Sequence, residues 1–329
     1  MNKKTTVFVL LGLCLVPHLI AEKAGPLVST YSIVARDRES GDIGVAVQSH
    51  WFSVGSVVCW AEAGVGAVAT QSFVDPSYGP LGLRLMRSGK SPQQALSGLL
   101  KADSHPEVRQ VAMIDSSGAV AVHTGESCIV EAGHIAGDGY SCQANMMERK
   151  TVPAAMADAF EKAEGALVDR LLAALEAAQA EKGDIRGKQS AAIIVVAKES
   201  SGVPWKGRLF DLRVEDHPQP LEELGRLIRI AKAYRHMNQG DEYLAEKKLD
   251  LALESYSRAM KIYPDNPELM FWPATLLAAS GKVEESLPLF RKVFARNPNW
   301  GELLKRLPAA GQFPDDPALL ERILKLLED

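Results

Sequence analysis

Cysteine is scarce in this chain, with four in 329 residues, at positions 14, 59, 128 and 142. None of their spacings matches the paired Cys/His runs of a zinc site. Cys128 and Cys142 flank a glycine-rich stretch, so they either bond across a hairpin or stay, like Cys59, inert buried thiols. Charge of one sign is lacking too. The 37 Lys+Arg against 41 Asp+Glu leave a net −4, with no long block of either sign, which excludes the basic footprint of a nucleic-acid binder. Gly64 and Gly66 lack the G-x-G-x-x-G spacing before a helix, and no phosphate loop occurs. His123 and His134 have no third ligand at a recognisable spacing. Neither a metal nor a cofactor is therefore expected. Past residue 20, no run reaches the roughly 20 apolar residues of a spanning helix.

What is present begins with Lys3 and Lys4 and an apolar run from Val7 to Ile20, interrupted by Pro17 and His18. This reads as a secretory signal peptide over 1–21, followed by a short linker or propeptide over 22–29. The expected location is the periplasm or the exterior, with no membrane span after the signal is removed.

From residue 30 the pattern is strand-rich at both ends and helical between. Thr30–Arg36 and Ile43–Gln48 alternate around the turn DRESGD and form a hairpin. Val57–Trp60 and Gly66–Thr70 read as short strands, and Tyr78–Leu100 as two helices, with Ser91 capping the second and Pro92 at its first position. Val108–Asp115 and Ala119–His123 form another hairpin. Pro153–Glu181 reads as two helices meeting near Gly165, followed by the continuous apolar strand Ser190–Ala197 and by Leu209–Val214. Hairpin-linked strands are antiparallel, and two sheets covered by helices on their outer faces would bury all of these elements. The expected fold is α+β over 30–220, followed by an all-α domain over 221–329.

The boundary falls at EDHPQP, residues 215–220, after which the pattern is helical throughout. There the chain repeats with itself at a spacing of 34: Gly240 with Ala274, Tyr256 with Phe290, Ala259 with Val293 and Pro264 with Pro298. Small residues where two helices approach, aromatics in the next layer and a closing proline make the tetratricopeptide pattern. Two units with flanking helices at 221–237 and 316–327 are enough to stack. A protein or cell-wall partner is expected through these repeats, and the chain is expected to form a homo-oligomer.

The stretches TYSIVARDRESGDIGVAV (30–47), AGVGAVATQ (63–71), PSYGPLGL (76–83), HTG (123–125), AGHIAGDGYSCQAN (132–145), GDIRGKQSAA (183–192) and DLRVEDHP (211–218) run in order. Through them the chain resembles the DUF1028 family, placed among the N-terminal-nucleophile (Ntn) hydrolases. The resemblance implies a four-layer αββα sandwich and an amide hydrolase acting on a small-molecule or peptide substrate. Catalysis would then rest on a residue whose own α-amine serves as base. A hydroxyl is a poor nucleophile without an adjacent base, and an α-amine titrating near 7.7–8.0 supplies one. Thr30 heads the first strand and the matching motif, so it is the expected nucleophile, with Ser32 a lesser one on the same strand face. Cleavage at Ala21 would leave Thr30 internal, so a second cut between Ser29 and Thr30, autoproteolytic or otherwise, is required. The hydroxyl is expected to be partly exposed and to add little stability.

Supporting groups are expected from Ser49 and His50 at the end of the second strand, where the family resemblance leads one to expect a lysine in place of His50. Gln71, Asp75 and Tyr78 follow the GAVAT strand. Asp138, Gln143 and Asn145 fall in a glycine-rich loop, and Gln189 and Ser190 open an apolar strand where polar groups must be paired. Asp184 and Arg186 read as a plain salt bridge. The alternative is an inactive Ntn-fold scaffold working through its repeats at the cell envelope.

Overall fold

The computed structural model describes residues 25–203 and 205–327. The signal-peptide reading of 1–21, Cys14 and the start of the linker lie outside the described residues. Two compact units part between Gly225 and Arg226.

The first unit contains two antiparallel sheets. One has the order β1 (Leu27–Val28), β5 (Gly66–Phe73), β6 (Arg109–Asp115), β7 (Val120–Thr124), with β4 (Cys59–Glu62) also on β5. The other runs β11 (Arg208–Val214), β10 (Ser190–Val196), β3 (Ile43–Ser49), β2 (Thr30–Arg36), β9 (Tyr140–Ala144), β8 (Gly133–Gly137). Alternation fixes which side chains go where. Val34, Val45, Val47, Ala192 and Ile194 of one sheet meet Ala67, Ala69, Ala112 and Ile114 of the other in a buried apolar layer. The outer face of the first sheet, Val68, Val111 and Met113, packs under α2 (Tyr78–Arg87) and α3 (Pro92–Ala102). The second is covered by α4 (Val152–Lys162) and α5 (Leu167–Ala180). The layers are therefore helix pair, sheet, sheet, helix pair, within an α+β chain whose C-terminal region is helical.

Local differences from the sequence reading have local causes. Residues 57 and 58 belong to a helical turn, α1 (Gly55–Val58), and the strand starts only at Cys59. The Val54 N–H is held by Ser190 Oγ at 3.1 Å, which starts the turn. The glycine-rich stretch around 137–145 is a hairpin and not a loop. Its tip is Asp138–Gly139, with Gly139 at φ 75°, the conformation an Asp-Gly turn favours. Cys128 and Cys142 are unbonded, and with Cys59 they are buried thiols. Burial pushes the Cys142 thiol well above its ordinary pKa, with the Glu161 carboxylate adding to the rise.

In the second unit, the flanking helix and the first repeat helix are one continuous helix, α6 (Pro220–Ala245). It is followed by α7 (Leu249–Ile262), α8 (Pro267–Ala279), α9 (Val283–Arg296), α10 (Asn299–Arg306) and α11 (Pro317–Leu324). The repeat's small positions work as the pattern requires. A Cβ on Gly240 would lie 2.3 Å from the Tyr256 ring. Phe271 meets Phe290, Trp272 and Trp300 at centroid distances of 6.1, 5.1 and 4.8 Å. Among the described residues no helix is long and apolar enough to cross a membrane.

Phe290 is wholly buried in this ring cluster. Phe290→Ala should lower unfolding stability by about 3–5 kcal/mol. Urea unfolding followed by far-ultraviolet circular dichroism checks this, and a loss under 1 kcal/mol would contradict the packing described.

Candidate active site

The layer between the sheets is apolar for most of its length and polar at one end. The change follows from single residues at inward positions of otherwise apolar strands. Thr30 and Ser32 continue the inward face of Val34, Ser49 that of Val47, and Ser190 that of Ala192. From the opposite sheet, Gln71 and Gln110 continue Ala69 and Ala112. All six are fully buried, as are Gln143 and Asn145.

Burying this many polar groups requires that they pair with one another. Ser32 Oγ donates to Gln71 Oε1 at 2.5 Å and accepts from Gln143 Nε2 at 2.6 Å. Gln71 Nε2 reaches Gln110 Oε1 at 2.7 Å and the Thr30 carbonyl at 3.2 Å. Asn145 donates its Nδ2 to Gln110 Oε1 at 2.9 Å and its backbone N–H to the Thr30 carbonyl at 3.1 Å. Asn145 Oδ1 is left without a partner. Thr30 is thus fixed through its carbonyl by both sheets.

Its hydroxyl donates to the Val28 carbonyl at 2.8 Å and is fully buried, contrary to the expected partial exposure, because residues 25–29 lie over it. Losing that hydrogen bond costs on the order of 1 kcal/mol, so Thr30→Ala carries a small stability penalty.

The carbonyl just before Thr30 is polarised by a hydroxyl and a guanidinium. Ser29 O accepts from Ser49 Oγ and, at 2.9 Å, from Arg186 Nη2. The same guanidinium is clamped by Asp184, with Nη2–Oδ2 at 2.7 Å and Nε–Oδ1 at 3.0 Å. Asp184, buried, also takes the backbone N–H groups of Arg186 and His50 at 2.9 and 3.2 Å. The salt bridge read from the sequence therefore does more than pair its own charges, since it aims a cation at the Ser29 carbonyl. His50 is exposed and contributes its backbone N–H to Asp184. The cation beside the Ser29 carbonyl is Arg186 and not residue 50.

The remaining expected residues are placed elsewhere. Ser190 is buried beside Ser49 but bonds to the Trp51 carbonyl and the Val54 N–H, so its role here is structural. Gln189 turns to Asp216, with Nε2–Oδ1 at 3.2 Å. Asp138 sits at the hairpin tip, paired with Arg38 at 2.8 Å and exposed, next to the opposite end of β2 from Thr30. Asp75 and Tyr78 line a separate cleft of about 750 Å³ with Asp103, His105 and Arg109. Gln110 is the main member the sequence reading left unused. The signal was a glutamine at an inward position of an apolar strand.

Burial and the Asp184 charge raise the Tyr31 phenol pKa, and burial together with His123 lowers that of His134. Among the described residues no cluster of three or more His, Cys, Asp or Glu could hold a metal.

In the separate cleft, burial would raise the Asp103 pKa. The hydrogen bonds from Arg109, His105 N–H and Tyr78 outweigh it, and the net shift is downward. A carboxylate so lowered adds stability above its unfolded value near 3.9, and that stability is lost as pH falls through the lower folded value. Asp103→Asn should therefore flatten the loss of stability below about pH 4. Thermal melts from pH 7 to 2 check this, and an unchanged acid slope would count against the ion pair. Gln71→Leu takes one hydrogen-bond partner each from Ser32, Gln110 and the Thr30 carbonyl, each lost bond costing about 0.5–1.5 kcal/mol. A denaturant midpoint equal to that of the parent would refute the pairing.

Comparisons with known proteins agree with this architecture. The model of DUF1028, described as a family of unknown function, matches residues 30–224, and a tetratricopeptide-repeat model matches 243–311. The crystal structure of protein SPO2555 from Silicibacter pomeroyi, itself a DUF1028 protein, is similar at 30% identity and a TM-score of 0.56. The similarity covers 62% of this chain and 89% of that one. No curated protein matches the chain.

Proposed function

The chain belongs to the DUF1028 family, and on that premise we propose that it is an exported N-terminal-nucleophile amide hydrolase that exposes Thr30 by cutting its own Ser29–Thr30 bond. The observation that carries this reading is the Ser29 carbonyl, held by the Ser49 hydroxyl and the Arg186 guanidinium, directly before a hydroxyl-bearing residue. Two donors on one carbonyl, one of them cationic, are what a developing oxyanion needs.

The chemistry follows from atoms already in place. Thr30 Oγ1 attacks the Ser29 carbonyl carbon through a five-membered ring, and its proton passes to water. The C–N bond breaks, the nitrogen takes a proton, and Ser29 is left as an ester on Thr30. Water hydrolyses the ester, releasing a carboxylate at Ser29 and a free amine at Thr30. That amine, of a class whose unperturbed pKa is about 7.7–8.0, then serves as base for the hydroxyl in each later cycle. A substrate amide would be attacked in the same way, with Ser49 and Arg186 holding its oxygen. Asn145 Oδ1, buried and unpartnered, is the acceptor available to orient the new amine. The repeat unit supports a protein partner in addition to the substrate.

Intact-mass analysis of the exported protein tests the reading. Wild type should begin at Thr30, Thr30→Ser should still process, and Thr30→Ala should not. Ser49→Ala should slow processing about 10²–10³-fold, the usual loss of one oxyanion donor. Acetylating the freed amine should abolish turnover of amide substrates. A Thr30→Ala chain that still starts at residue 30 would mean that another enzyme makes the cut.

A further inference from the structure

Residues 25–29 lie along the edge of β5 as an added strand. Leu27 pairs with Phe73 and Val28 with Ser72, antiparallel, and the Val74 N–H donates to the Pro26 carbonyl at 2.9 Å. Burial rises along the segment. Gly25 to Leu27 are partly or fully exposed, whereas Val28 and Ser29 are wholly buried. Val28 is packed into the inter-sheet core with Val54 and Val74. The strand delivers the Ser29 carbonyl to Ser49 and Arg186.

From this we infer that the edge of β5 at Ser72–Val74 is the subsite for the acyl half of the substrate, and that the substrate is an extended peptide. The inference rests on the reading of Thr30 as nucleophile. In self-cleavage Ser29 is the acyl residue, so any later acyl group whose carbonyl meets the same two donors must approach along the same line. With residues 25–29 gone, β5 offers unpaired backbone groups there, and an extended peptide pairs with such an edge by strand addition. Side-chain preference follows from burial. The residue before the acyl residue enters an apolar pocket and is a Val-like side chain. The acyl residue itself is small. Ser29 Oγ is buried without a partner, so Ala fits that position at least as well.

The test uses the full chain after processing and a peptide of sequence AGPLVS, residues 24–29 with a free C-terminal carboxylate, the C-terminal part of the cleavage product. Calorimetry should show binding to the processed chain. A Ser29→Ala peptide should bind as tightly or more tightly, and a Val28→Asp peptide at least tenfold more weakly. The unprocessed Thr30→Ala chain, whose own segment fills the edge, should not bind the peptide. A processed chain beginning at Thr30 that ignores the peptide, or binds the Val28→Asp form equally, overturns the subsite alone. Equal binding to the unprocessed Thr30→Ala chain overturns it as well. A chain that never exposes Thr30 overturns the proposed function, and the subsite falls with it.

Discussion

Two sheets packed face to face must end their apolar layer somewhere, and in this chain they end it on Gln71. Its amide is wholly buried and spans the gap from β5, accepting the Ser32 hydroxyl and reaching the Thr30 carbonyl on β2, while also bonding Gln110 on the neighbouring β6. An unpaired group there would cost about 1–3 kcal/mol, so the network holds only where all its members line up. Displacing one sheet over the other by one residue's rise, about 3.3 Å, would break these bonds, and slipping a single strand by one residue would turn its inward set outward. The network therefore fixes the relative register of the sheets, and with it the position of Thr30 and of the peptide bond before it. A hydrocarbon contact at this point would fill space without specifying register so narrowly.

Much of this was legible in the sequence because it depends on period. The hairpin of β2 and β3, the two helix pairs and the 34-residue repeat all follow from alternation or from small and aromatic residues at fixed offsets. The repeat is legible down to single contacts, since Gly240 and Tyr256 recur as Ala274 and Phe290. The β8–β9 hairpin escaped because Gly133, Gly137 and Gly139 dilute the alternation, although Asp138–Gly139 is itself a turn signal. The first turn of α1 escaped because its starting hydrogen bond comes from Ser190, 136 residues away.

The candidate site divides in the same way. Thr30, Ser49 and Gln71 stand at or next to the ends of recognisable strands and Asn145 in the stretch read as a glycine-rich loop, and the structure brings them together. Asp75 and Tyr78, equally plausible by position, fall in another cleft, since after Phe73 the chain turns away into α2. Arg186 was read as a local partner of Asp184 because the two are two residues apart. Its second bond crosses 157 residues to Ser29, and no spacing rule reports a contact of that span. Asp184 leaves the guanidinium little freedom, since three of its hydrogen bonds come from Arg186 itself. A clamped cation loses little entropy when it engages an oxygen, which suits it to stabilise a charge that exists only briefly.

Burial of the nucleophile would be an objection to the proposed chemistry if the covering strand were permanent. While residues 25–29 are tied to Thr30 they are held by the covalent bond, and their ordering is part of the fold. Once that bond is cut they become a separate ligand. Fixing five backbone residues costs about 1–2 kcal/mol each. Against this stand the burial of one valine side chain, about 1.5–3 kcal/mol, and a few hydrogen bonds at about 0.5–1.5 kcal/mol each. The two sides nearly cancel, so a segment that covers the site stably before cleavage is held only weakly after it. The proposed reaction would thus open its own active site, leaving a β5 edge with the valine pocket and the Ser49–Arg186 donors ready for the next acyl group. The free hexapeptide adds a C-terminal carboxylate at the place of the Ser29 carbonyl, where Arg186 stands, and a hydrogen bond between charged groups contributes about 1.5–3 kcal/mol; this tips the near-balance toward weak binding, as a product requires if the site is to turn over.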